Sequence, residues 1–184
     1  MENLVERVLH RFKSRLDDSN KILIQRSLGY SAWCHCEFYQ PATMNEVNEF
    51  QENTGFYIPG DHKDFFKIHN GARLFVNSEV FDDPSWNIFS LEEIASGIED
   101  YSIPSHQYPM AKYDDVLICI DSYSFKEQKR EYLCVRSIYT PPDHDGEMLN
   151  LSFELFLDRL IVSQGDHFWD WPKITSKIFY RNNK

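Results

Sequence analysis

The sequence predicts a single α+β domain. Helical periodicity comes first, strand-length apolar runs cluster in the middle, and another amphipathic helix follows them. That order differs from the regular strand–helix alternation of a doubly wound parallel sheet. The chain has 184 residues, a length that suits one domain. A domain of this size buries roughly 70% of the surface of its unfolded chain, so it can fold without a disulfide or a metal. With 14 Phe, 10 Tyr and 4 Trp, it has ample apolar area to form a core.

The first element is a helix over residues 2–16. Leu4, Val5, Val8, Leu9, Phe12 and Leu16 form its apolar stripe, with Glu2, Glu6, Arg7, Arg11 and Lys13 off it. Asp17-Asp18-Ser19-Asn20 breaks the pattern, and Lys21 to Arg26 reads as a short strand. Residues 29–40 read as loop with a short strand. Thr43-Met44-Asn45-Glu46 is a capping box that opens a helix with Met44, Val47 and Phe50 on one side, closed by Gly55. Pro59 sits near the first turn of the next helix, whose buried face is Phe65, Phe66 and Ile68. Asn70-Gly71 stops it, because both residues tolerate positive φ.

Strands follow near Arg73–Val76 and Trp86–Phe89, separated by an acidic turn at Asp82-Asp83-Pro84. Ser90-Leu91-Glu92-Glu93 is a second capping box, opening a helix to about Tyr101. Residues 102–114, with Pro104 and Pro109, read as a loop. Val116–Asp121 and Glu131–Ile138 read as strands joined by a charged connection, and Met148–Leu151 as a last short strand. Ser152 starts a helix with Phe153, Phe156, Leu157, Leu160 and Ile161 on one face. The tail carries Trp169, Trp171, Pro172 and Phe179.

The formal charge is −10 with a pI near 5.1, which disfavours contact with a phosphate backbone and suits a basic protein partner. No secretory signal or membrane-length apolar run is visible, so the expected compartment is the cytoplasm, with the four cysteines reduced. Patterns for nucleotide-binding glycine loops, nucleophile elbows and zinc-protease helices are missing. Cys34-His35-Cys36 has no second ligand pair to complete a zinc site, and Asp143-His144-Asp145-Gly146 places its glycine too early for a calcium loop. The expectation is a protein without cofactor, metal or catalytic residues. Three loops mix carboxylates with large rings and are the candidate partner-binding residues: Asp82, Asp83 and Trp86; Asp114 and Asp115; Trp169 and Trp171. Rings supply anchoring area and carboxylates steer a basic partner.

The run Pro41-Ala42-Thr43-Met44-Asn45-Glu46, Phe50, Thr54-Gly55-Phe56, Ile58-Pro59, Asp61 to Phe66 and His69-Asn70-Gly71 resembles the signature of the SUKH superfamily, the Smi/Knr-type domain. Ser90 to Ile94 and Leu151 to Leu160 resemble two later pieces of it, in the right order. The resemblance covers residues 40–162, leaving residues 1–39 as an N-terminal helix and strand extension and 163–184 as a tail. It implies an α+β fold with a central mixed or antiparallel sheet flanked by helices. It also implies a role: bacterial members are cytoplasmic immunity proteins that bind and neutralise a cognate toxin, often a nuclease. Fungal members instead are regulatory scaffolds. No catalytic residue of the family carries over, and Gly55, Pro59, Asn70 and Gly71 correspond to caps and turns.

Overall fold

A computed structural model describes residues 3–182; Met1, Glu2, Asn183 and Lys184 lie outside the described residues. Eight strands form one sheet in chain order, each antiparallel to its neighbours: β1 (Lys21–Gln25), β2 (Ser31–Phe38), β3 (Ala72–Asn77), β4 (Trp86–Ile88), β5 (Gln107–Tyr113), β6 (Val116–Asp121), β7 (Leu133–Ser137) and β8 (Glu147–Met148). Of the mixed and antiparallel arrangements expected, the sheet is antiparallel throughout.

The helices form where their stripes and caps predict, although Met44 is exposed and Ile68 lies beyond the end of its helix, half-buried. In α1 (Leu4–Lys13), Val5, Val8, Leu9 and Phe12 are buried, and an Asn3/Glu6 capping box opens the helix. In α2 (Met44–Thr54) the Thr43/Glu46 box is complete, Val47 and Phe50 are buried, and Gly55 closes the end at φ 75°. The backbone and side-chain hydrogen bonds to Thr43 lower the Glu46 pKa. Pro59 is the N-cap of α3 (Gly60–Phe66), with Phe65 and Phe66 buried. The Ser90/Glu93 box opens α4 (Leu91–Asp100). Asp121 caps α5 (Ser122–Lys126), a short helix where the sequence showed only a charged connection. Ser152 caps α6 (Phe153–Val162), whose five expected apolar residues are all buried. A 3₁₀ stretch over Phe168–Lys173 precedes α7 (Ser176–Asn182). Helices α1, α3 and α6 pack on one another, and Phe65 meets Phe153 with ring centroids 5.3 Å apart.

The last strand, expected over Met148–Leu151, is the two-residue β8, and two further segments depart from expectation. Residues 31–38 form a full strand, β2, because Ala32, Cys34 and Cys36 point inward while Trp33 and His35 point outward. Small residues inside and a large ring outside mask the alternation that identifies a strand. The same alternation sends His35 away from Cys34 and Cys36, so the three cannot close on one ion. Residues 107–113 form β5 despite Pro109. The register against β6 slips between Pro109 and Ala111, and β4 pairs only with Ala111 and Lys112, so the missing N–H falls at a bulge beyond the end of β4.

The free edge of β1 is capped by side chains. Asp17 Oδ1 accepts the Lys21 amide at 2.8 Å, and Gln164 Oε1 accepts the Gln25 amide at 2.7 Å. At the opposite end of the molecule, Tyr132 donates its hydroxyl to Asp61, whose Oδ2 also accepts the Glu154 amide at 3.0 Å. That carboxylate ties α3 to the residue that precedes β7 and to the start of α6.

His62 is fully buried between Phe66 and Phe153, at centroid distances of 4.4 and 4.6 Å, and burial lowers its pKa to about 3. Below about pH 6.5 the unfolded chain gains a proton that the folded site refuses, so stability falls with pH at roughly 1.4 kcal/mol per unit. Replacing His62 with Phe removes that share. Denaturant titrations at pH 7 and pH 5 should show the stability difference between the two shrink by roughly 2 kcal/mol. An unchanged pH dependence would show that His62 is protonated in the fold.

Candidate protein-binding face

In a sequential antiparallel sheet, the β1–β2, β3–β4 and β5–β6 connections all emerge at the same end. The helices α2, α3, α4 and α5 fill the connections at the other end. The short connections carry the acidic loops, so the expected residues 82–86 and 113–115 meet there. The segment after α6 returns to the same end and brings the third loop, residues 164–171, against them.

Arg26, at the end of β1, holds the loops together. Its Nε donates to the Gln164 carbonyl at 2.9 Å and its Nη1 to the Tyr113 hydroxyl at 3.3 Å. The guanidinium also lies over the Tyr30, Phe75 and Tyr113 rings at 5.6, 6.0 and 5.8 Å. Its Nη2 is buried without a hydrogen-bond partner among the described residues. Gly165 is the point of closest approach. Its φ is 83°, and an added Cβ would lie 2.7 Å from the Phe75 ring and 2.9 Å from Arg26 Nη2.

Trp86 requires a correction. It is fully buried, with 0% exposure, so it cannot present its ring to a partner. Its Nε1 donates to the Gly165 carbonyl at 2.9 Å, and its ring packs against Tyr113, Phe156, His167 and Trp169. It is the internal pillar under the face. Trp169 is half-buried, stacked on His167 with centroids 4.8 Å apart. Trp171 is half exposed, with its Nε1 3.3 Å from Asp166 Oδ2. Asp82, Asp114 and Asp115 are exposed; Asp83 is half-buried, accepting from the Tyr30 hydroxyl at 2.9 Å and the Asn77 amide at 2.8 Å.

These groups enclose a shallow cavity of about 320 Å³ between Arg26, Tyr30, Asp83, Tyr113, Asp166 and His167. Burial alone would raise the Asp166 pKa, but hydrogen bonds from Ser27, His167 and Trp171 hold it below its usual value. His167 is pushed down by burial against the opposing pull of Asp170 and Asp166, which favours the neutral ring. Glu79, Asp82, Asp83, Asp114, Asp115 and Asp166 form no ion pair among the described residues. The result is a negative, ring-walled surface.

A larger cleft, about 780 Å³, lies at the opposite end, between Asp61, Tyr132, Arg130 and Glu154. Its central carboxylate, Asp61, is already occupied by the Tyr132 hydroxyl and the α6 amide. Burial, followed by Asp61 and Asp64, raises the Glu154 pKa.

The signature of the SMI1 / KNR4 family (SUKH-1) matches residues 41–159. The chain belongs to the SMI1/KNR4 family. Two proteins of Bacillus subtilis (strain 168) are similar to it. Uncharacterized protein YobM is 31% identical over 193 residues, spanning 98% of this chain and 99% of its own. Uncharacterized protein YnaB is 27% identical over 133 residues, spanning 72% of this chain and 85% of its own. In this SMI1/KNR4 chain the family signature stops short of half the face: Arg26, Ser27, Tyr30 and residues 164–171 lie outside it. The likeness to YobM extends across nearly the whole chain. The sequence reading missed Arg26, Tyr30 and His167. The only local signal for Arg26 was a cation at the end of a strand, followed by a turn.

The Gly165 joint gives a test. Gly165→Ala should destabilise the fold by about 2–4 kcal/mol, through clash and strain at positive φ, read as a lowered denaturant midpoint. Gly60→Ala, where an added Cβ meets nothing within 4 Å, should be close to neutral. Equal effects would show that the approach at Gly165 is not constrained.

Proposed function

We propose that this chain is an immunity protein that neutralises a cognate toxin by stoichiometric binding in the cytoplasm. The observation that carries the reading is the gathering of unpaired carboxylates and half-exposed rings at the loop end of the sheet. A nuclease presents a basic groove to its phosphate substrate. An acidic surface of matching size would cover that groove, with charge speeding encounter and apolar contacts slowing release. Family membership supports the choice of a protein partner. Asp82, Asp83, Asp114, Asp115, Trp169 and Trp171 belong to the proposed contact region, with Trp86 behind it as support. The reading calls for no cofactor or metal and no bond-making step.

The direct test is co-expression with the toxin encoded beside the gene. Survival and a co-purified one-to-one complex are the expected result; continued killing without a complex would refute the reading. Electrostatic steering makes a kinetic prediction as well. The association rate should fall roughly tenfold from low to high salt. Asp115→Lys should slow association several-fold at low salt, while the melting temperature changes little.

A further inference from the structure

Two large apolar residues stand at the loop end with no packing role. Leu28, in the β1–β2 turn, is 80% exposed, and Phe81, in the β3–β4 loop, is 92% exposed. Val80 beside it is 56% exposed. The two tips are tied together: the Asn77 amide donates to the Tyr30 hydroxyl at 3.1 Å and to Asp83 at 2.8 Å. Trp33 continues the apolar surface on the outer face of β2, directly opposite Leu23 of β1, and its carbonyl accepts the Ser78 amide at 2.9 Å.

The backbone makes Leu28 more informative. Its φ and ψ are 60° and 19°, and Gly29 follows at φ 76°. Two consecutive residues of positive φ are the geometry that Asn-Gly favours in a hairpin. A leucine there is strained and leaves its side chain in solvent, so folding offers no reason for it. The nearby carboxylates are Glu79, Asp82 and Asp83, none in an ion pair among the described residues, and the one nearby cation, Arg26, is half-buried with its guanidinium over the Tyr30 ring.

We propose that Leu28 and Phe81 are the apolar anchors that seat a basic protein partner inside this acidic rim, with Trp33 and Leu23 extending the contact. The inference rests on the partner-binding reading above and moves its centre from the tryptophans to the hairpin tips. The rim selects the occupant. A second copy of this chain would bring like charges together across the contact, on a molecule of net charge −10. A basic surface meets the carboxylates while the two side chains lose their water.

Leu28→Asn separates folding from binding, because it relieves the turn while removing the anchor. The variant should melt at or above the wild-type temperature and bind the neighbouring-gene toxin domain at least about tenfold more weakly. Leu28→Asn with Phe81→Ser should lose protection in co-expression, with the salt dependence of association retained. If the double variant binds like wild type, the anchors are wrong while the immunity reading stands. If wild type itself fails to bind the toxin, the immunity reading fails and the anchor proposal falls with it. A wild-type dimer in sedimentation that the double variant converts to monomer would make a second copy the occupant and overturn the proposal.

Discussion

The sequential antiparallel order of the sheet is the constraint from which the rest follows. Each strand reverses the last, so connections alternate between two ends of the molecule. The even-to-odd connections are long and carry α2, α3, α4 and α5; β1–β2, β3–β4 and β5–β6 are loops. Helices therefore collect at one end and loops at the other. Segments that lie far apart in the chain, around residues 28, 82 and 114, become neighbours without any direct sequence signal linking them. Helix α6 then carries the chain back to the loop end, where residues 164–171 complete the surface.

Different chemistry secures the two ends. At the helical end a single carboxylate, Asp61, satisfies a tyrosine hydroxyl and a helix amide. At the loop end, Arg26 works through carbonyl, hydroxyl and ring faces instead of a carboxylate. That choice leaves Asp83 and Asp166 free of ion pairing and keeps the surface negative. A lysine could not span the same contacts, because it lacks the planar fork that donates in two directions while lying on rings.

The elements with strong local signals were legible. The two capping boxes, the stripe of α1 and the apolar face of α6 needed only periodicity and cap chemistry. Strand β2 was not legible, because Ala32, Cys34 and Cys36 are small and Trp33 is outside. Strand β5 was hidden by Pro109, which only a bulge placed past the end of β4 makes tolerable. The acidic loops were recognised as candidates, but their meeting was not, since it depends on topology. The choice of rings also missed the most exposed one. Trp86 looked like a hot spot because of its size and acidic neighbours, yet it fills the space beneath Gly165. Phe81 drew no attention in sequence and stands almost fully in water.

The capped edge of β1 bears on how such a molecule meets others. Asp17 and Gln164 occupy two of the outward-facing amides that another strand would need, leaving little backbone for an incoming chain to read. Recruitment by strand addition, and the runaway stacking that it invites in a crowded cell, are blocked from that side. On the binding reading proposed above, recognition would fall to side chains at the tips, where substitutions leave the ladder beneath undisturbed.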